Sequence, residues 1–260
     1  MQNSFTFLHI KKAVFFITLL FSLALLPALS PDDYGQILLD IDNLQNFGDK
    51  DFTAKYTIIS KKTDEENELL EVQLFRRDVE DLFLMIIILP KVQYGQGFLQ
   101  LEDNLWFYDP ESRKFEHSSA KENIQNSDAK NNDLMVQTLS QDYTVVSHEE
   151  GVLGKENVPV YILNLEAKND EVSYPKMKLW VRQNPTIPMR SEEYGYSGRL
   201  MRQSAYGKYV KVGEKYLPMA IRMDDMLNVG EITVITMKDP WIGSIPDSIF
   251  TKAYLEKVSK

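Results

Sequence analysis

The chain has 260 residues, 43% of them hydrophobic and 26% charged, a balance that supports a folded body with a large core and excludes a wholly disordered chain. Its net charge of -9 argues against a nucleic-acid partner and against a generally basic membrane-docking face. It has no cysteine, so it forms no disulfide and offers no thiol for acylation behind an apolar leader.

Residues 1–30 read as a signal peptide or N-terminal anchor. MQNSFTFLHIKK is basic and free of acids, and Ala13 to Leu29 is an uncharged apolar run. The small pair Ala28 and Ser30 places Pro31 directly after a cut, where signal peptidase accepts it poorly, so an uncleaved anchor stands beside cleavage. Removing these residues takes away only Lys11 and Lys12 and moves the net charge from -9 to -11. Residues 31–260 are expected to form a single domain.

After Pro31, the residues Ile37, Leu38, Ile41 and Leu44 recur at helical spacing, with Asp32 or Asp33 to cap the first turn and Gly48 to end it. Strand signals follow. FTAKYTII and ELLEVQLFRR alternate apolar and polar residues around a charged turn, TDEENE. LFLMIIIL, Leu82 to Leu89, is apolar without interruption, and eight residues are far too few to cross a bilayer. As a strand it sends Leu82, Leu84, Ile86 and Ile88 one way and Phe83, Met85, Ile87 and Leu89 the other, so both faces need an apolar partner. FLQLEDNLWFYDP, with Phe98, Leu99, Leu101, Leu105, Trp106, Phe107 and Tyr108, also carries large residues on both faces.

Residues 117–133 are the most polar stretch and read as a mobile surface loop. Leu134, Met135, Thr138 and Leu139 are in helical phase and predict a short second helix. The remainder predicts an antiparallel meander with hairpin turns at Asn169 and Asp170, Asn184 and Pro185, Gly195 to Gly198, Gly213 and Glu214, and Asn228 to Gly230. Ten or eleven strands, one helix in front and one between predict a mostly β (α+β) fold: one strongly curved antiparallel sheet with helices on one side.

No catalytic constellation stands out. His117 and His148 lack metal-site spacing, and no metal or other cofactor is expected. The nearest approach to a nucleophile elbow is Gly195-Tyr196-Ser197-Gly198, with the wrong spacing and inside a hairpin. His117 is merely adjacent to Ser118 and Ser119. The acidic pairs, Glu149 with Glu150, Glu192 with Glu193 and Asp224 with Asp225, point to opposite sides of their strands and read as solvated edges or turns. Nucleotide-binding glycine motifs are absent. The chemistry that the sequence does offer is apolar, and it fits either an ordinary helix-on-sheet core or a cavity for a lipid-like ligand.

The segment LPKVQYGQGFLQLEDNLWFYDPESRKFE resembles the outer-membrane lipoprotein-sorting family related to the periplasmic carrier LolA. The matching residues are Pro90, Gly95, Gly97, Phe98, Leu99, Trp106, Tyr108, Asp109 and Pro110. Gly151 through Tyr161, the strand KLWV with Trp180, and IPDSIFTKAYL with Phe250 extend the resemblance over nearly all of 31–260. One departure is Asn126-Ser127-Asp128 followed by Asp133-Leu134, where the family usually shows Gly-Ser-Asp, an acid and leucine. The resemblance implies an unclosed β-barrel of about 11 strands covered by helices, holding acyl chains in between. It further implies a periplasmic carrier of lipoprotein or lipid acyl chains, with an inner-membrane transporter and an outer-membrane acceptor as partners. The lipid-binding residues expected on this reading are Leu38, Ile41, Leu44, Phe83, Met85, Ile86, Ile87, Phe98, Trp106, Tyr108, Met135 and Leu139. A lipolytic enzyme using the same acyl pocket and a non-catalytic envelope scaffold are the alternatives.

Overall fold

A computed structural model describes residues 31–136 and 138–259, so the expected signal segment lies outside the described residues. The described part opens with helix α1 (Pro31–Gln45). A first meander follows, made of β1 (Asp51–Lys61), β2 (Glu68–Arg77), β3 (Leu82–Leu89), β4 (Gly97–Leu101), β5 (Asn104–Asp109) and β6 (Lys114–Ser118). Two helical turns, α2 (Asn131–Leu134) and α3 (Leu139–Asp142), precede a second meander. Its strands are β7 (Tyr143–Leu153), β8 (Val158–Ala167), β9 (Lys176–Arg182), β10 (Ile187–Tyr194), β11 (Leu200–Val212), β12 (Lys215–Asp225) and β13 (Ile232–Gly243). Helix α4 (Lys252–Val258) ends the described chain.

All neighbours pair antiparallel in one sheet, in the order β6-β5-β4-β3-β2-β1-β13-β12-β11-β10-β9-β8-β7. The last strand returns to pair with the first, so β1 and β13 sit at the middle and the edges β6 and β7 remain unjoined. The barrel is therefore open. Because β6 and β7 are consecutive in the chain yet lie at opposite edges, the segment 119–142 has to cross the sheet's mouth. The packing of its Ile124, Ala129 and Leu134 on the inward core makes it a strap.

Thirteen strands form where ten or eleven were expected. FLQLEDNLWFYDP folds back on itself at Glu102, which takes a left-handed φ of 55°, and Lys114–Ser118 adds a strand that takes His117 and Ser118 out of the predicted loop. The rest of that loop is packed rather than purely superficial. Ile124 and Ala129 are fully buried, joined by an Ile124 N to Ala129 O hydrogen bond of 2.7 Å. The second helix is split in two. Met135 is extended, and the chain turns helical again at Leu139 because the Asp42 carboxylate of α1 accepts hydrogen bonds from the backbone N–H groups of Leu139 and Ser140, both at 2.8 Å.

The two faces of β3 meet different cores. Phe83, Met85 and Ile87 face inward with Val72, Leu74, Phe98 and Leu105, and the strap contributes Ile124, Ala129 and Leu134 to the same cluster. Leu84 and Ile86 face outward, where Leu99, Tyr108, Ile245, Phe250 and Leu255 cover them. Helix α4 thus supplies the partner that the second apolar face requires. A Cβ built on Gly97 would lie 2.9 Å from Leu255 Cδ1, and one on Gly95, at φ 83°, would lie 2.7 Å from Ser259 Cα. These glycines let the C-terminal segment lie directly on the sheet.

A third core lies under α1. Tyr34, Ile37, Leu38 and Ile41 pack on Tyr143, Leu163, Leu165, Leu179 and Val181 from the second meander. Tyr34 also stacks on His148 of the edge strand β7, with ring centroids 3.6 Å apart.

A candidate ligand cavity

Between the strap, the β2–β3 corner and the β8–β9 loop lies a cavity of about 390 Å³, within the range of roughly 300–1,000 Å³ typical of small-molecule sites. Phe83, Met135, Val136, Leu139, Val172 and Met177 give it apolar walls, and Tyr143, Tyr174 and Tyr206 add phenols. Burial pushes all three phenol pKa values up, so they stay neutral at physiological pH.

One wall is a buried ionic network. Arg202 on β11 stands directly across the ladder from Glu193 on β10. Its guanidinium donates two hydrogen bonds to Asp133 of the strap, 2.7 and 2.9 Å long, one of 3.2 Å to Asp128 O, and a longer one of 3.4 Å to Glu193. Glu193 is 1% exposed and accepts from Ser191 Oγ at 2.5 Å and Ser204 Oγ at 3.2 Å. Burial raises its carboxyl pKa, against the opposing pull of Arg202. Burial opposes the charge on Arg202 as well, but Asp133 and Glu193 outweigh it and hold the guanidinium charged. Arg202 also lies 5.0 Å from the centre of the Tyr174 ring.

A second buried pair fixes the end of α1. Arg76 donates to both oxygens of Asp78 at 2.9 Å and to Gln45 O at 2.7 Å, while Asp78 accepts from Phe47 N at 2.9 Å. Arg76 therefore ties strand β2 to the helix exit. The expectation that paired acids lie in solvent is corrected at Glu193, which is buried by the face it shares with Ser191. Asp225 does meet other carboxylates, since atoms of Asp128, Asp225 and Glu231 lie within 4.8 Å of one another. Burial first, then the neighbouring Asp225, raises the pKa of Asp128.

The structure divides the expected lining residues. Phe83, Met135 and Leu139 line the cavity. Met85, Ile87 and Phe98 share the inward face but are enclosed in the first core. Leu38 and Ile41 lie under α1 in its own core, and Leu44 is half-buried. Ile86, Trp106 and Tyr108 fall on the other face: Ile86 and Tyr108 pack under the C-terminal segment, and Trp106 lies against His117 with Lys252 Nζ 3.5 Å from its ring centre. Parity explains the division. In β5, Leu105 and Phe107 alternate with Trp106 and Tyr108, and the first pair faces inward.

Sequence reasoning missed Arg76, Asp133, Glu193 and Arg202. The signal was present: Arg76 follows Leu70, Val72 and Leu74 at the same parity, where an inward charge breaks an apolar stripe. As for nucleophiles, Ser118 Oγ donates to Glu122 Oε2 at 2.6 Å while its neighbour His117 packs on Trp106. Ser197 sits in the exposed β10–β11 turn. No serine–histidine hydrogen bond occurs among the described residues.

No described helix is long and apolar enough to cross a membrane. No curated protein matches the chain. Solved structures do. A LolA superfamily protein from Nitrosomonas europaea is similar with TM-score 0.73 and 26% identity, over 87% of this chain and 100% of that one. A domain described as a putative outer membrane lipoprotein-sorting protein from Vibrio parahaemolyticus gives 0.75 at 19% identity, and a DUF1329 family protein from Desulfovibrio piger gives 0.74 at 17%, each over the same shares of the two chains. At those identities the last two speak for the fold alone. A family model described as "Uncharacterized protein" matches residues 79–257. With its open antiparallel sheet, crossing strap and these likenesses, the chain belongs to that family and is LolA-like in fold.

Proposed function

We propose that the protein is an exported, non-catalytic carrier that takes up acyl chains of lipids or lipoproteins in the strap-covered cavity and moves them between the inner and outer membranes. The observation that carries this reading is the cavity itself, bounded by Phe83 of the sheet and by Met135 and Leu139 beside the strap's helical turns. An acyl chain needs such a place. At about 0.8 kcal/mol per methylene, a sixteen-carbon chain loses on the order of 12 kcal/mol of apolar contact on leaving a bilayer. Phe83, Met135, Leu139, Val172 and Met177 offer replacement contact, and displacement of the strap would extend it onto Met85, Ile87 and Phe98 beneath. The inner-membrane donor and outer-membrane acceptor are part of the proposal and rest on the family likeness.

Filling the cavity tests this reading. Leu139→Trp and Met177→Trp, made separately, should each weaken binding of a fluorescent sixteen-carbon fatty acid about tenfold, equivalent to about 1.4 kcal/mol, while thermal unfolding stays near that of the parent. Two folded variants that bind like the parent would place the acyl site elsewhere.

A further inference from the structure

Tyr56 is an inward residue of β1, at the middle of the sheet, with Val72 of β2 and Met237 of β13 as its ladder neighbours. It is 6% exposed, yet its hydroxyl makes no hydrogen bond among the described residues. A phenol placed so deep ordinarily has a partner. Burial raises its pKa, against the opposing pull of Arg76, so the hydroxyl stays protonated and offers a proton that nothing in the protein accepts.

Tyr56 borders a second, small cavity of about 30 Å³, walled by Phe47, Phe52, Leu217, Ile235 and Met237. That space suits one water or one carbonyl group and is too small for a whole chain. Arg76, Asp133 and Met135 border both this cavity and the large one, and so form the partition between them. Two of the three are pinned: Arg76 by Asp78 and Gln45 O, Asp133 by Arg202. Met135 is different. It is half-buried, extended where α2 ends, and unbranched, so rotation of its side chain joins the two spaces without breaking an ion pair.

A chain lying in the large cavity would then present its carbonyl end to Tyr56. The unpaired O–H needs an acceptor, and a carbonyl oxygen is the acceptor that an acyl ester, thioester or amide carries. We propose that Tyr56 is the donor that recognises the acyl carbonyl oxygen of the bound ligand, with Met135 as the movable partition. This rests on the acyl-carrier reading and adds to it the ligand atom that is recognised.

The test pairs two ligands of one skeleton, methyl decanoate and decyl methyl ether, which differ by the carbonyl oxygen. Each displaces the fluorescent sixteen-carbon fatty acid from the full chain, with the probe's own affinity measured for every variant. Tyr56→Phe should weaken methyl decanoate about tenfold and leave decyl methyl ether within about twofold of the parent. Its thermal unfolding should match the parent's, because the hydroxyl removed makes no hydrogen bond within the protein. The carbonyl stretch of bound methyl decanoate, labelled there with carbon-13, should lie at lower frequency in the parent than in Tyr56→Phe.

A Tyr56→Phe protein that binds both ligands like the parent, with the stretch unmoved, overturns the inference: the small cavity then holds water alone, and the carrier reading stands. Equal weakening of ester and ether also overturns it, since the phenol would then shape the cavity without reading the carbonyl. If neither the fatty acid nor either ligand binds the parent, both readings fall.

Discussion

Replacing Arg202 by methionine should lower the stability of the protein by about 3–5 kcal/mol in chemical denaturation. The cost comes from what is left behind. Asp133 loses both of its charge-assisted hydrogen bonds to Arg202, and Glu193, 1% exposed, is left with only serine donors. An uncompensated carboxylate in a dry wall is worse than the intact triad, and worse than an apolar substitute for the whole of it. Adding Glu193→Gln to Arg202→Met should therefore recover part of the loss, since it removes one of the two stranded acids. An Arg202→Met protein as stable as the parent, or a second substitution that makes matters worse, would mean the network contributes nothing to holding the strap.

Leu255→Ala should cost about 2–5 kcal/mol while leaving acyl binding unchanged. Leu255 is fully buried against the outward face of β3 and β4, and α4 is too short to persist in water without that packing. The helix is capped at Thr251, whose hydroxyl accepts from Tyr254 N at 3.1 Å, but one hydrogen bond does not replace a docked leucine. Comparison with Leu139→Trp separates the two faces of the sheet: one substitution removes stability and keeps affinity, the other does the reverse. Loss of acyl affinity in a folded Leu255→Ala protein would place the lipid site on the convex side.

The contrast between those faces marks where the sequence is legible and where it is not. That LFLMIIIL has two apolar faces is visible from its composition, and the hairpin turns from Asn169 to Gly230 follow from their turn residues. Which face is inward is a global property. It depends on the strap crossing one side and α4 lying on the other, and KAYLEKV is too short and too polar to announce itself as a packed helix. The same limit explains Ile86, Trp106 and Tyr108, all large and apolar but on the side that α4 covers. In the polar stretch 117–133, Ile124 and Ala129 are the buried apolar residues that anchor the segment, two residues that no periodicity picks out. The ionic wall was legible in principle, because Arg76, Glu193 and Arg202 occupy inward positions of alternating strands. Recognising it requires knowing that β10 and β11 pair with Glu193 opposite Arg202, and that Asp133, about seventy residues away, arrives with the strap.

Photo-crosslinking with a diazirine-bearing sixteen-carbon fatty acid, followed by peptide mapping, tests the carrier account most directly. Adducts are expected on peptides containing Phe83, Met135, Leu139 and Met177, all lost when unlabelled fatty acid is present in excess. Adducts confined to the α4 segment and the outward residues Ile86 and Tyr108, or labelling that excess fatty acid does not reduce, would contradict it.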